Sequence, residues 1–131
     1  MKSECIDGAA PALHVLYVED DELVRELTQE LLLRADRSIF ACASAEEALQ
    51  ELNRRRFDLL ITDVSLPSMS GIALARHFLA QQPAGAVIIA SGYPQELGFD
   101  RFGAQWRAVA KPIDVERLDD LITELCASKL Q

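Results

Sequence analysis

The chain has 131 residues, half of them hydrophobic, and a formal net charge of -8. That length predicts one domain with a sizeable core, and the composition excludes the disordered class. The acidic balance argues against a nucleic-acid surface, which needs a clustered basic face, and no apolar run approaches the ~20 residues of a membrane span.

Residues 1–12 read as a short flexible leader, with Gly8 and Pro11, ahead of one domain from 13 to 131. The leader carries acidic residues and no apolar core region, so it is not a signal peptide. Without a secretion signal the expected location is the cytoplasm, with the cysteines reduced. Cys5, Cys42 and Cys126 lie far apart and show no C-x-x-C spacing, hence no metal or redox signal.

The apolar run Leu13–Val18 predicts the first strand. Glu22–Arg34 carries Leu23, Val24, Leu27, Leu31 and Leu32 at helical spacing. Ile39–Cys42 reads as a short strand. Ser44 with Glu47 forms a capping box for a helix whose buried face is Ala45, Ala48, Leu49 and Leu52. Arg54-Arg55-Arg56, the one dense basic run, suits the solvated C-terminal end of that helix.

Leu59–Thr62 is apolar on consecutive residues, as in a central parallel strand covered on both faces. Ser70 can cap a helix over Gly71–Gln81, with Ile72, Leu74, Ala75 and Phe78 inward. Val87–Ala90 is the fourth strand. Gly92–Arg107, broken by Pro94, Gly98 and Gly103, leaves room for a short helix only. Ala108–Ala110 is the fifth strand. Asp114 caps the last helix, striped by Val115, Leu118, Leu121, Ile122 and Leu125. Strands alternating with helices predict an α/β fold, with a five-stranded parallel sheet, right-handed crossovers and helices on both faces. The expected strand order is the flavodoxin-like 2-1-3-4-5.

Each predicted inner strand ends on a polar group. Glu19, Asp20 and Asp21 close the first run, Asp63 the third, Ser91 the fourth, and Lys111-Pro112 follows the fifth. In an open parallel sheet these carboxyl ends lie side by side and form the ligand crevice. Crowded carboxylates raise one another's pKa unless a cation intervenes. Glu19, Asp20 and Asp63 together therefore imply a bound cation, and all-oxygen donors suit Mg²⁺ or Mn²⁺. Asp21 reads better as a helix cap.

Four segments carry a resemblance: Val15–Asp21, Phe57–Gly71, Ile88–Tyr93 and Lys111-Pro112. In this order and at these separations they resemble the receiver domain of two-component signalling, from about Leu13 to about Leu125. The resemblance implies that Asp63 is the phosphoacceptor nucleophile of a phosphorelay. The donor would be a histidine kinase or a histidine phosphotransfer protein, and the switched partner an output protein of unknown identity. It implies Asp20 as direct metal ligand, Glu19 acting through water, and the Ser65 backbone carbonyl as a further ligand. Lys111, aimed by a cis bond to Pro112, and the Ser91 hydroxyl would serve the phosphoryl group. Such a chain catalyses its own phosphorylation and slow dephosphorylation and turns over no small-molecule substrate. It acts as a monomer or weak dimer with no nucleic acid, membrane or organic cofactor.

The chain departs from the pattern at Ala108, where receivers carry the switch aromatic, three residues before the lysine. Trp106 shares that face but is displaced along the strand, so coupling is expected to run through the Gly92–Arg107 segment. Haloacid-type phosphatases share the aspartate nucleophile but need a second aspartate where this chain has Ser65. No glycine-rich phosphate loop is present, and His14 and His77 lie outside the site. Two placements stay open, a stand-alone response regulator or the receiver of a hybrid histidine kinase. The functional alternative is a receiver-fold interaction module that works without phosphorylation.

Overall fold

The computed structural model describes residues 13–34, 36–94 and 105–127. The strands are β1 (Leu13–Val18), β2 (Arg37–Cys42), β3 (Leu59–Asp63), β4 (Ala86–Ser91) and β5 (Trp106–Ala110). They pair in parallel in the order β2-β1-β3-β4-β5, as the alternation predicts. The helices among the described residues are α1 (Glu22–Leu32), α2 (Ala45–Leu52), α3 (Gly71–Gln81) and α4 (Val115–Leu125).

Residues of β1 and β3 alternate between two cores. Leu13, Val15, Tyr17, Leu59 and Ile61 pack with Leu118, Leu121 and Ile122 of α4. Leu16, Val18 and Leu60 pack with Ala48 of α2 and Leu74 and Phe78 of α3. This two-sided burial explains the continuous apolar runs of the inner strands. No helix among the described residues is long and apolar enough to cross a membrane.

All four helices begin on the cap residues that the sequence marks. Asp21, Ser44, Ser70 and Asp114 accept from backbone N–H groups of the first turns. Glu47 reaches back past the cap, accepting at 3.0 Å from the N–H of Ala43 rather than from that of Ser44, which a capping box would use.

Several expectations shift. Helix α1 stops at Leu32 rather than Arg34, because Arg34 forms a bridge with Arg37. Its stripe also points the other way. Leu23, Val24, Leu27 and Leu31 are exposed, and only Thr28 and Leu32 are buried. Strand β2 starts two residues early, at Arg37, whose buried guanidinium ion-pairs with Asp119 of α4 at 2.8 Å. Strand β5 starts at Trp106, which packs beside Ala108 on the α2–α3 side. Of the basic run, Arg54 and Arg55 reach Glu51, and Arg55 also lies over the Phe40 ring, 4.5 Å from its centroid. The leader, Cys5 and the short helix expected beyond Pro94 lie outside the described residues.

Burial leaves its mark on two acids of the core. It pushes the Tyr17 phenol from 10.0 up to about 12 and the Cys42 thiol from 9.0 up to about 12. Both groups are neutral when protonated. The unfolded chain loses these protons first, so their contribution is fully present below pH 9 and lost as pH climbs toward about 12. The melting temperature should fall progressively across this window. Thermal melts followed by circular dichroism at stepped pH check this, and a melting temperature that stays flat from pH 9 to about 12 would contradict it.

Candidate functional site

Strand register brings the polar ends to one edge. Val18 pairs with Thr62, Asp63 with Ala90, and Ser91 with Ala110, so Glu19, Asp63, Ser91 and Lys111 follow or close adjacent strands. The order of the sheet places Asp63 between the β1 acids and the β4–β5 pair. Here the chain gathers the residues that the sequence singles out.

Glu19, Asp20 and Asp63 each offer a carboxylate oxygen, and these oxygens lie within 4.8 Å of one another. Glu19 and Asp63 are buried, while Asp20 is exposed. The Lys111 ammonium donates to Asp63 Oδ2 at 2.7 Å. This bond raises the Lys111 pKa, with the charge of Asp63 adding to it. The Glu19 pKa is raised as well, which for an acid disfavours the charged form. Burial raises its carboxyl, the nearby Asp63 charge adds to that, and the Asp21 N–H opposes it. Three carboxylates thus face one ammonium, a surplus of charge on hard oxygen donors. Such a set can hold a divalent cation of the Mg²⁺ or Mn²⁺ type.

The turns around this cluster are fixed by backbone bonds. The Val64 N–H donates to the Ala90 carbonyl at 2.9 Å, and the Gly71 N–H donates to the Val64 carbonyl at 2.8 Å. Together they fold the β3–α3 loop against the strand ends. Ser65 is exposed on this loop, and Ser68 donates to Glu46 of α2. The Lys111 N–H donates to the Ser91 carbonyl at 2.9 Å, and the bond from Lys111 to Pro112 is cis. The buried Ser91 hydroxyl accepts from the Tyr93 N–H at 3.0 Å. Asp21 points away, into the cap of α1 at Val24. His77 is exposed on α3, and His14 lies at the far end of β1 beside Ser38.

Two supports of the site escape the sequence reading. Arg25 of α1 donates to the Glu19 carbonyl at 2.8 Å. Gly71 follows the Ser70 cap and brings the start of α3 against the Asp63 backbone. A glycine at the first position of a helix that already has a serine cap is the one signal that could have flagged it, because no cap geometry requires it.

With this geometry in view, the comparisons with known proteins agree. The profile of the response regulator receiver domain family matches residues 15–123. The chain belongs to that family, as a receiver domain of two-component signalling. It is similar to the C4-dicarboxylate transport transcriptional regulatory protein DctD of Rhizobium meliloti (strain 1021), 34% identical over 114 residues, 85% of this chain and 24% of that protein. It is also similar to the sensor histidine kinase AruS of Pseudomonas aeruginosa, 41% identical over 75 residues, 53% of this chain and 8% of that protein. The solved structure of a two component transcriptional regulator AraC from Clostridium phytofermentans ISDg superposes with a TM-score of 0.76 at 29% identity, over 91% of this chain and 95% of that one. The chain spans about a quarter of the length of DctD and a smaller share of AruS.

Gly71 generates a prediction with an unusual sign. In a helix, glycine to alanine is ordinarily favourable by about 1 kcal/mol. Here the added Cβ would overlap the Asp63 carbonyl oxygen and lie 3.0 Å from its carbon and 3.1 Å from Thr62 Cγ2. The obstacle is mostly backbone, which cannot rotate aside. Gly71→Ala should therefore destabilise the domain by roughly 1–3 kcal/mol, read as a lower urea midpoint. A midpoint at or above that of the wild type would mean that α3 is free to move off the strand end.

Proposed function

We propose that this receiver accepts a phosphoryl group on Asp63 from a phosphohistidine donor, in the presence of Mg²⁺, and thereby switches binding to a protein partner. The observation that carries this reading is the 2.7 Å bond from Lys111 to Asp63 beside the Glu19 and Asp20 carboxylates. An Asp63 oxygen attacks phosphorus, forming the O–P bond of an acyl phosphate. The N–P bond to the donor imidazole breaks, and its electron pair returns to the ring nitrogen. In such transfers the main catalytic need is neutralisation of charge on the equatorial oxygens. Bound Mg²⁺ would supply part of that neutralisation, held by Asp20, Asp63 and the Ser65 carbonyl, with Glu19 acting through water.

Lys111 already rests on Asp63 and can follow the charge to the phosphoryl oxygens. The Ser91 oxygen accepts from Tyr93, which leaves the hydroxyl hydrogen as a donor. Incubation with acetyl phosphate and Mg²⁺ should add one phosphoryl group by intact mass. The addition should vanish with EDTA and in Asp63→Asn. Labelling that persists in Asp63→Asn would place the acceptor on another residue, and a wild type that takes no label would favour the alternative, a receiver-fold interaction module that works without phosphorylation.

The exposed stripe of α1 supports a histidine kinase or phosphotransfer protein as the donor. Leu23 is 75% and Leu27 55% exposed. The stripe borders a groove of about 430 Å³, whose lining includes Glu19, Leu27, Leu31, Lys111 and Ile113. An apolar surface that runs into the acceptor crevice suits a helix carrying the donor histidine. Glu22, Glu26 and Glu30, also exposed on α1, favour basic residues at the rim of that helix. Leu27→Asp should slow phosphotransfer from the protein donor about tenfold, equivalent to ~1.4 kcal/mol of lost docking, and leave labelling by acetyl phosphate unchanged. Equal slowing with both donors would place the defect in the site rather than in docking.

A further inference from the structure

Glu19 is tied at every polar group. Its N–H donates to the Cys42 carbonyl at 3.1 Å. Its carboxylate accepts from the Asp21 N–H at 3.1 Å. Its carbonyl accepts from Arg25 Nη1 at 2.8 Å. The first two ties come from the neighbouring strand and from the turn itself. The third comes from a half-buried guanidinium on α1, whose own backbone N–H is bonded to the Asp21 carbonyl at 2.9 Å.

The peptide unit is rigid and planar. Fixing the Glu19 carbonyl therefore fixes the plane that carries the Asp20 N–H and the Asp20 Cα, from which its carboxylate departs. Asp20 is the exposed member of the carboxylate cluster. We infer that Arg25 is a positioning residue for the cation site, holding the Glu19–Asp20 peptide so that the Asp20 carboxylate stays with those of Glu19 and Asp63. This rests on the proposed Mg²⁺ reading of the cluster.

A second effect of Arg25 has the opposite sign. Its charge repels a cation, so its removal on electrostatic grounds alone would tighten Mg²⁺ binding. The geometry favours positioning. The guanidinium is engaged with a backbone carbonyl. The two effects also differ in salt dependence, because only the charge effect is screened.

Titration of Mg²⁺ into the full chain by calorimetry, at low and high salt, separates them. Arg25→Ala should weaken Mg²⁺ about tenfold at both salt concentrations, the low end of what groups supporting metal ligands contribute. Arg25→Lys keeps a donor and should recover much of the loss, and Asp20→Asn sets the scale for a lost ligand. Melting without metal checks that each variant is folded, and Arg25→Lys carries the comparison if Arg25→Ala does not fold. Arg25→Ala binding Mg²⁺ as tightly as the wild type, or more tightly at low salt, overturns the inference. So does Arg25→Lys weakened no less than a folded Arg25→Ala. A wild type that takes no Mg²⁺ overturns the metal reading beneath it as well.

Discussion

Parallel register forces three carboxylates to within 4.8 Å of one another at the edge of a dry sheet, with one ammonium among them. Left alone, such a cluster opposes folding, because like charges in a poorly hydrated site raise one another's free energy. The chain keeps it by fixing the backbone on every side. Glu19 is tied to β2 and α1, Asp63 closes a fully buried strand, and the β3–α3 loop is bonded to β4. Unspent charge of this kind is what the proposed divalent cation would relieve, since the fold alone leaves the three carboxylates with one ammonium.

The same constraint explains the uneven burial around the site. The cores beneath it are closed on both faces, with Leu16, Ile61 and Ile88 fully buried. At the crevice the side chains become half open: Asp20 and Lys111 face solvent, while Glu19, Asp63 and Ser91 do not. The proposed phosphoryl chemistry would use this gradient, with fixed dipoles below and access above. The exposed leucines of α1 begin at the same edge, so a large apolar surface adjoins the most polar point of the molecule.

Much of this was legible in the residues. A run such as Leu59–Thr62 ending on Asp63 has little choice but to be an inner strand presenting its acid at the sheet edge. The caps Asp21, Ser44, Ser70 and Asp114 set the helix starts for local reasons, and local signals survive folding. What stayed hidden depends on distant partners. Periodicity showed that α1 has an apolar face, but not that this face would look outward, because nothing local says what covers a stripe. Arg37 and Ser38 did not read as strand because the partner that lets Arg37 be buried, Asp119, lies on the last helix. The closeness of Gly71 to the Asp63 backbone and the bond from Arg25 to the Glu19 carbonyl belong to the same class, since both require the fold before they exist.

We propose that this crowded edge directs chemistry to one carboxylate of the three. Glu19 is shifted upward by its burial, Asp20 is exposed, and only Asp63 bonds the lysine. The most direct measurement traps the product. Sodium borohydride reduces an acyl phosphate to the alcohol, so protein loaded by acetyl phosphate and Mg²⁺, reduced and mapped by peptide mass spectrometry, reports the carboxylate that carried phosphate. Conversion is expected at Asp63, to homoserine, and at no other acid. Conversion at Asp20 or Glu19, or none at all in protein that binds Mg²⁺, would contradict it.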